Sequence, residues 1–476
     1  MFKDKEQKTK VIQLVLFVLT LIATTLSGAE LMTAKSLLYG MDTLSFDEFL
    51  SGTRYSIPFL AILTAHEFGH YFVAQYHKVK VTLPYYIPFW IGFLSPFSIG
   101  TMGAVIRIKE VIESRKKYFD IGVAGPLAGV ILAIPILIFG FGNLPGDEYV
   151  FNIHHDYAQY GSDYRDKVYS YEHLKKQQYP AYQDYVRQDS LSFIEEYGSI
   201  EGWKPVPFVA SGTSITMGKP LIYTFFQNMI VTDQSKLPHD NELFHYPILL
   251  ACLLAFFFTS INLFPIGQLD GGHILYGLVG PERHKITSQV LFLLLLYYSG
   301  LGIVNPFELT ETSSEMSLLY IPFLFFSLTK FTPALKDRIM YTLIILSAQM
   351  GTNFIFPTAE GYAGWVLFAF VLGRVLGIYH PPIQIDQPLD TKRKIIGWIS
   401  LLVFILCFSP KPLVMEDVIY NKDDKSDTPT FLSTVKPSPN FTLIDKPNSI
   451  PRASNMSINS GEEINVLDSS PSGSKN

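Results

Sequence analysis

Cysteine and charge are the two things this chain has least of. Cys252 and Cys407 are its only cysteines, each inside an apolar run, so neither a disulfide framework nor a cysteine-based zinc site can be built. Both read as packing residues. Asp, Glu, Lys and Arg together make 17% of the 476 residues, and the formal net charge is only −5. No block of Lys and Arg supplies the electrostatic footprint that nucleic acid requires, so no nucleic-acid partner is expected.

The place of the missing charge is taken by apolar residues, 48% of the chain, and by aromatics, 14%. They gather in long runs, and a membrane-crossing helix needs about 20 mostly apolar residues. Candidate spans are 11–28, 57–77, 119–141, 246–265, 286–304, 318–328, 339–356, 365–379 and 395–408. The 318–328 segment is short and reads either as a span or as re-entrant. The expected fold is therefore a polytopic α-helical membrane protein of about eight or nine transmembrane helices.

Lys3, Lys5, Lys8 and Lys10 precede the first run, and "SGA" at 27–29 resembles a signal-peptidase site. The run is long for a signal peptide, so an uncleaved first span is expected; either way residue 30 emerges outside. Lys and Arg remain on the cytoplasmic side of a membrane. An N-terminus on that side puts Arg107, Lys109, Arg115, Lys116 and Lys117 there, with Arg283, Lys285, Lys330, Lys336, Arg338 and Lys392–Lys394. The acidic stretches at 41–49 and 305–315 fall outside. One orientation satisfies every loop.

Three stretches do not read as spans. Residues 81–105 are apolar enough for a membrane but carry Pro84, Pro88 and Pro96 with Gly92, Gly100 and Gly103, which forbid a regular helix. Their Tyr, Phe, Trp and Val content favours extended chain. A re-entrant loop or membrane-embedded β-hairpin is expected, since non-helical backbone at that depth must be covered by protein or face a water cavity. Residues 142–245, rich in tyrosine and charge, form an external insertion, read either as a small helical subdomain or as a loop. The tail after Lys411 is rich in Ser, Pro, Asn and Asp and is expected to be disordered.

The chemistry lies in "TAHEFGHYF", 64–72. An ionisable residue at mid-membrane costs about 2.5–3.5 kcal/mol on insertion scales, so three within five positions call for a shared partner. His66 and His70, four apart, project from one helix face, where both can reach one zinc ion. Glu67 projects beside them, placed to hold water rather than metal: this is the H-E-x-x-H arrangement of zinc proteases. His77 lies on the same face but two turns further on, too far for the same ion; it reads as an interfacial residue.

A catalytic zinc site wants a third protein ligand. The candidate is Asp270 in "NLFPIGQLDGGH", 262–273, at the end of a span that descends from outside like the one bearing His66. Pro265, Gly267, Gly271 and Gly272 are expected to break the helix there and let the carboxylate swing to the metal. The plainer reading of DGG is a helix-capping turn, and His273 is a second candidate ligand. Asn262 reads either as holding substrate or loop backbone or as bonding a neighbouring helix. The AGPLAG stretch, 124–129, lacks the Lys-Ser/Thr of a phosphate loop and reads as small-residue helix packing. Arg374, inside a late apolar run, is expected to extend its charge to the cytoplasmic side.

HEFGH on one span with N-x-x-P-x-x-x-L-D-G-G on a later one resembles the site-2 protease family of intramembrane zinc metalloproteases. The likeness extends through "GTMGAVIRIK" (100–109), "DIGVAGPLAGV" (120–130) and "INLFPIGQLDGGHI" (261–274), similar to the plastid and bacterial branch without a PDZ domain. The resemblance implies His66, His70 and Asp270 as ligands of Zn2+, Glu67 as acid/base, and Asn262 and Pro265 as shaping the substrate cleft. It implies transmembrane proteins as substrates, the lipid bilayer as surroundings, and a part in regulated intramembrane proteolysis. The expected location is a bacterial plasma membrane with a cytoplasmic N-terminus.

The expected domains are a first span and external loop (1–53), a first part of the catalytic core (54–141), the insertion (142–245), a second core part with LDGG (246–280), C-terminal helices (281–410) and the tail (411–476). Two rivals share the histidine pair. A prenyl-protein-type protease takes its third ligand from a later glutamate, but Glu308, Glu311, Glu315 and Glu360 fall in or beside external loops. A metal transporter or metal-bound receptor would gain little from the non-ligand Glu67, which hydrolysis requires.

Overall fold

The computed structural model describes residues 5–38, 43–92, 98–304, 311–420 and 430–431. The first helix, α1 (Lys5–Thr33), is followed by the short α2 (Phe46–Ser51) and by α3 (Thr53–Tyr76), which carries the histidine pair. α2 starts in a capping box: the Ser45 hydroxyl accepts the Glu48 amide proton at 3.2 Å, while the Glu48 carboxylate accepts that of Ser45 at 2.7 Å. Lys35 pairs with the same carboxylate at 2.6 Å, fixing the link back to α1.

After α3 the chain turns extended. Strands β1 (Tyr85–Phe89) and β2 (Gly100–Val105) form an antiparallel hairpin pairing Tyr85 with Val105 and Phe89 with Gly100. Pro88 has no N–H for the ladder, and the register slips in a bulge between Tyr86 and Pro88. The hairpin packs on α1, where Phe17 meets Tyr86 edge-on at 4.9 Å and Gln13 donates to the Leu83 carbonyl at 2.6 Å. Tyr86 also bonds Thr64 of α3 at 2.7 Å. The expectation of extended chain in 81–105 is met, although 93–97, with Pro96, lies outside the described residues.

Helix α4 (Arg115–Gly142) lies along α3, with Gly125 against His70, Gly129 against His66 and Gly122 against His273. The insertion then runs through α5 (Glu148–Phe151), a 3-10 stretch at His155–Asp163, α6 (Tyr164–Lys167), α7 (Tyr171–Tyr197), β3 (Ala210–Met217) and α8 (Leu221–Ile230). The segment thus forms helices with one strand, sharing its core with α3, α4 and α9. A further 3-10 turn, Asp240–His245, leads into α9 (Pro247–Asn262), whose residues from Leu249 to Phe256 are all buried.

A turn connects α9 to α10 (Asp270–Val279), followed by α11 (Pro281–Gly300), α12 (Glu311–Ser327), α13 (Leu335–Ile355), α14 (Gly364–Phe370) with a π turn at Val371–Leu376, and α15 (Thr391–Cys407). Arg374 on the π turn is exposed. One core unites α3, α4 and α9 with the insertion; another joins α11 through α14 around Phe292, Leu296, Leu324 and Trp365. Cys252 and Cys407 are buried and unpaired, as packing residues should be.

The tail departs from expectation at its start. Leu413–Tyr420 forms a strand, β4, paired antiparallel with β3 from Ala210↔Tyr420 to Met217↔Leu413. Val414, Val418 and Ile419 have the branched side chains that suit a strand, and the insertion supplies the open edge. Composition averaged over the tail hid this local run. Residues 432–476 lie outside the described residues.

Each of the nine candidate spans contains or forms a helix. Two described helices, Glu6–Thr33 and Arg115–Gly142, are long and apolar enough to cross a bilayer; Pro247–Asn262, Leu318–Ser327 and Gly364–Leu376 are apolar but shorter. Large apolar side chains stand exposed on several helices, among them Leu14 on α1, Ile131 on α4, Leu294 on α11, Leu343 on α13 and Leu402 on α15. A surface of that kind suits lipid rather than water.

Candidate metal centre

α3 places His66 and His70 one turn apart, their rings edge-to-face with centroids 4.8 Å apart. The two Nε2 atoms lie 3.1 Å from each other. Nδ1 of His70 is 2.7 Å from the carbonyl of Ile121 on α4, which can only accept. That proton is therefore on Nδ1, and Nε2 presents its lone pair to the site.

Asp270 completes a triangle: its Oδ2 is 3.4 Å from His66 Nε2 and 3.2 Å from His70 Nε2. Ligand atoms bound tetrahedrally to zinc at about 2.0–2.1 Å are separated from one another by about 3.3 Å. The three observed edges match that separation, and two imidazoles with a carboxylate suit zinc chemically. The residues present thus fit the ion that the sequence implied. The acidic partner of the histidines is an aspartate on α10, which removes the reason for a prenyl-protein-type reading; Glu308 lies outside the described residues.

Asp270 is the first residue of α10, following Leu269 in extended conformation. The glycines act differently from expectation. Gly271 and Gly272 do not break a helix but lie within the first turn of α10, pressed on the turn that leaves α9. A Cβ at Gly271 would stand 1.9 Å from the Leu263 carbonyl oxygen, and one at Gly272 would stand 2.4 Å from that of Gly267. Gly267 itself has a φ of +61°, the left-handed conformation that glycine adopts without strain. The helix does break, between Asn262 and Asp270 around Pro265 and Gly267, and close backbone packing at Gly271 and Gly272 sets the carboxylate in place.

Glu67 is buried, and with the metal triangle it lines a cavity of about 270 Å³. Asn262 and His273 reach the same cavity, and Ala104, Val105 and Ile106 wall it from the end of β2. Asn262 Nδ2 is 3.4 Å from His66 Nε2, so it both faces the site and bonds the neighbouring helix α3. Pro265 sits in the α9–α10 turn and is not among the lining residues. His273 turns instead to His380, Nδ1 to Nε2 2.9 Å, and stacks on Tyr118. His77 is held away from the site by Asp120 at 2.8 Å, a carboxylate also gripped by Arg393 at 2.7 and 2.8 Å.

Sequence reasoning undervalued the glycines of α4. A Cβ at Gly125 would lie 2.1 Å from His70 Nε2, and one at Gly122 would lie 2.9 Å from His273 Cβ. AGPLAG does pack helices, but what it packs against is the histidine pair, Gly125 on His70 and Gly129 on His66. The available signal was the spacing of Gly122, Gly125 and Gly129, three and four residues apart on one helix face.

The model of peptidase family M50 matches residues 54–303, which hold every residue of this site. The chain belongs to peptidase family M50, the site-2 protease family. The family is zinc-dependent, and its members are integral to membranes, as is this protein. Among curated relatives, the "probable zinc metalloprotease EGY1, chloroplastic" of Oryza sativa subsp. japonica is 40% identical over 81 residues, 17% of this chain and 13% of the relative. The EGY2 counterpart of Oryza sativa subsp. indica is 34% identical over 87 residues, 18% of this chain and 15% of its own. EGY1 of Arabidopsis thaliana is 36% identical over 81 residues, 17% and 14% of the two chains. The matched segment thus spans only about one seventh of these relatives. Their chloroplast location does not fit the bacterial plasma membrane expected from the sequence, and an integral-membrane location is what stands. No solved structure matches the chain significantly.

Proposed function

We propose that the protein is an intramembrane zinc metalloprotease that hydrolyses peptide bonds within or near transmembrane segments of membrane-protein substrates. The observation that carries this reading is the meeting of His66 Nε2, His70 Nε2 and Asp270 Oδ2 in a cavity that also receives Glu67. Zinc held there supplies a Lewis acid that polarises the scissile carbonyl and acidifies water. Glu67 takes the proton of the attacking water and returns it to the leaving amine. Asn262 holds substrate backbone beside His66, and Pro265 keeps the turn that shapes the cleft. Eight or nine spans are proposed on the helices described, with the insertion on the side opposite the Lys/Arg-rich loops.

A helical substrate hides its carbonyls in its own hydrogen bonds and must unwind before attack. The β1–β2 hairpin is two-stranded, and the end of β2 borders the cavity. An unwound substrate pairs with that edge as an added strand, which offsets the hydrogen bonds it loses. Substrates of this type suit a role in regulated intramembrane proteolysis.

The test is the Glu67→Gln protein, purified and given a model transmembrane substrate. Zinc content should be unchanged while cleavage falls by about 10²–10⁴-fold. Full cleavage with zinc still bound would sink the mechanism.

A further inference from the structure

A second cluster repeats the geometry of the first on a different part of the chain. His154 follows α5 at the start of the insertion, and Glu242 and His245 lie in the 3-10 turn just before α9. His154 Nε2 is 3.1 Å from His245 Nε2. Glu242 Oε2 is 3.5 Å from the first and 3.4 Å from the second. These edges of 3.1, 3.4 and 3.5 Å stand beside 3.1, 3.2 and 3.4 Å at the first centre. Both sets fit ligand atoms around one ion with bonds of about 2.0–2.1 Å.

The protein's own hydrogen bonds do not satisfy this cluster. His245 Nδ1 lies 3.0 Å from the Met32 carbonyl, which only accepts, so the proton is on Nδ1 and Nε2 offers a lone pair. Glu242 is 2% exposed; its Oε1 accepts the Tyr169 hydroxyl, while Oε2 is buried with no hydrogen-bond partner. If neutral His154 gives its Nε2 proton to His245, the carboxylate oxygen stays unmatched. If it gives that proton to Glu242, the His245 Nε2 lone pair, 3.1 Å from the protonated nitrogen, is left without a donor. An orphaned buried carboxylate oxygen is costly. A cation, with the His154 proton on Nδ1, answers the two Nε2 lone pairs and the carboxylate oxygen at once.

The partners around the three groups fix their directions as metal ligands require. Tyr169 orients Glu242, the Met32 carbonyl orients His245, and His154 stacks on Tyr157 with centroids 4.7 Å apart. Two imidazoles and a carboxylate select a divalent transition ion of the zinc class over calcium or magnesium, which take oxygen.

We infer that His154, Glu242 and His245 form a second, structural site for a zinc-class divalent cation. The ion fastens the two ends of the insertion to each other and, through His245 and Met32, to the end of α1. This goes beyond the proposed proteolysis, which it does not require.

The experiment is metal analysis of the full-length protein purified in detergent with zinc. Wild type should carry two ions per chain, His66→Ala/His70→Ala one, His154→Ala/His245→Ala one, and the fourfold variant none. Cobalt loaded into His66→Ala/His70→Ala should give visible absorption of a low-symmetry site, lost on adding His154→Ala, a substitution at a side chain that is still 28% exposed. A wild type holding no more than one ion, removed by His66→Ala/His70→Ala, overturns the proposal without touching the first centre. So does a His154→Ala/His245→Ala protein that keeps both ions. Failure of the first centre reads differently: His66→Ala/His70→Ala would then carry as much metal as wild type.

Discussion

Gly125 of α4 lies directly against His70 of α3, so close that a single added carbon would stand 2.1 Å from the imidazole Nε2. The same helix receives the His70 Nδ1 proton on the Ile121 carbonyl at 2.7 Å. One helix therefore both orients the His70 ring and, through a missing side chain, leaves it room beside His66 and Asp270.

Gly125→Ala should consequently displace His70 and weaken metal binding at the first centre. The loss expected from disturbing a ligand's support is about 10–100-fold in affinity. Zinc titration of the purified variant against a competing chelator measures it; an unchanged affinity would mean that α4 gives way without moving His70.

Asp270→Ala removes a ligand rather than its support. One equivalent of zinc should be lost and cleavage of a transmembrane substrate abolished, with α10 still helical by circular dichroism. Retention of the full metal content would exclude Asp270 as a ligand.

Asn262→Ala tests a different role, because Nδ2 faces His66 Nε2 at 3.4 Å from outside the metal triangle. Metal content should stay constant while kcat/KM falls by roughly tenfold, the worth of one hydrogen bond of about 1.4 kcal/mol. Loss of zinc instead would make Asn262 a structural support of the centre.

Asp120 on α4 ties the end of α3 to α15 through His77, which follows α3, and Arg393 of α15. Asp120→Ala leaves a partly buried guanidinium without its bidentate partner and should destabilise the fold by about 1–3 kcal/mol. A lowered Tm in detergent with zinc content intact is the expected pair of readings; an unchanged Tm would mark the network as unimportant to stability.

The proposed topology predicts cleavage of 142–245 by protease added to the side opposite the Lys/Arg-rich loops. Cleavage only from the other side would invert the proposed topology.

What could be read in advance followed from local periodicity. Apolar runs marked the positions of the helices, and the breakers in 81–105 marked a break from helix, because both depend on neighbours in the chain. The spacing of His66, Glu67 and His70 disclosed half a metal site for the same reason, since a helix turn fixes which side chains meet. Asp270, some two hundred residues on, was reached by combining span direction with composition, and its carboxylate does close the triangle.

Other features depend on contacts that no local pattern encodes. The strand at Leu413–Tyr420 exists because β3 offers an edge about two hundred residues earlier in the chain. Gly271 and Gly272 looked like helix breakers and proved to be packing positions, since a glycine's role depends on what lies 2–3 Å from its absent Cβ.

The sequence by itself determined where the helices lie, which of them carries the histidine pair, and that its ionisable groups share one face of that helix. Tertiary structure alone decided that Gly125 makes room for His70 and that His154 meets Glu242 and His245. Each of those relations joins separate elements through side chains a few ångströms apart. Only the packing of the folded chain sets such distances.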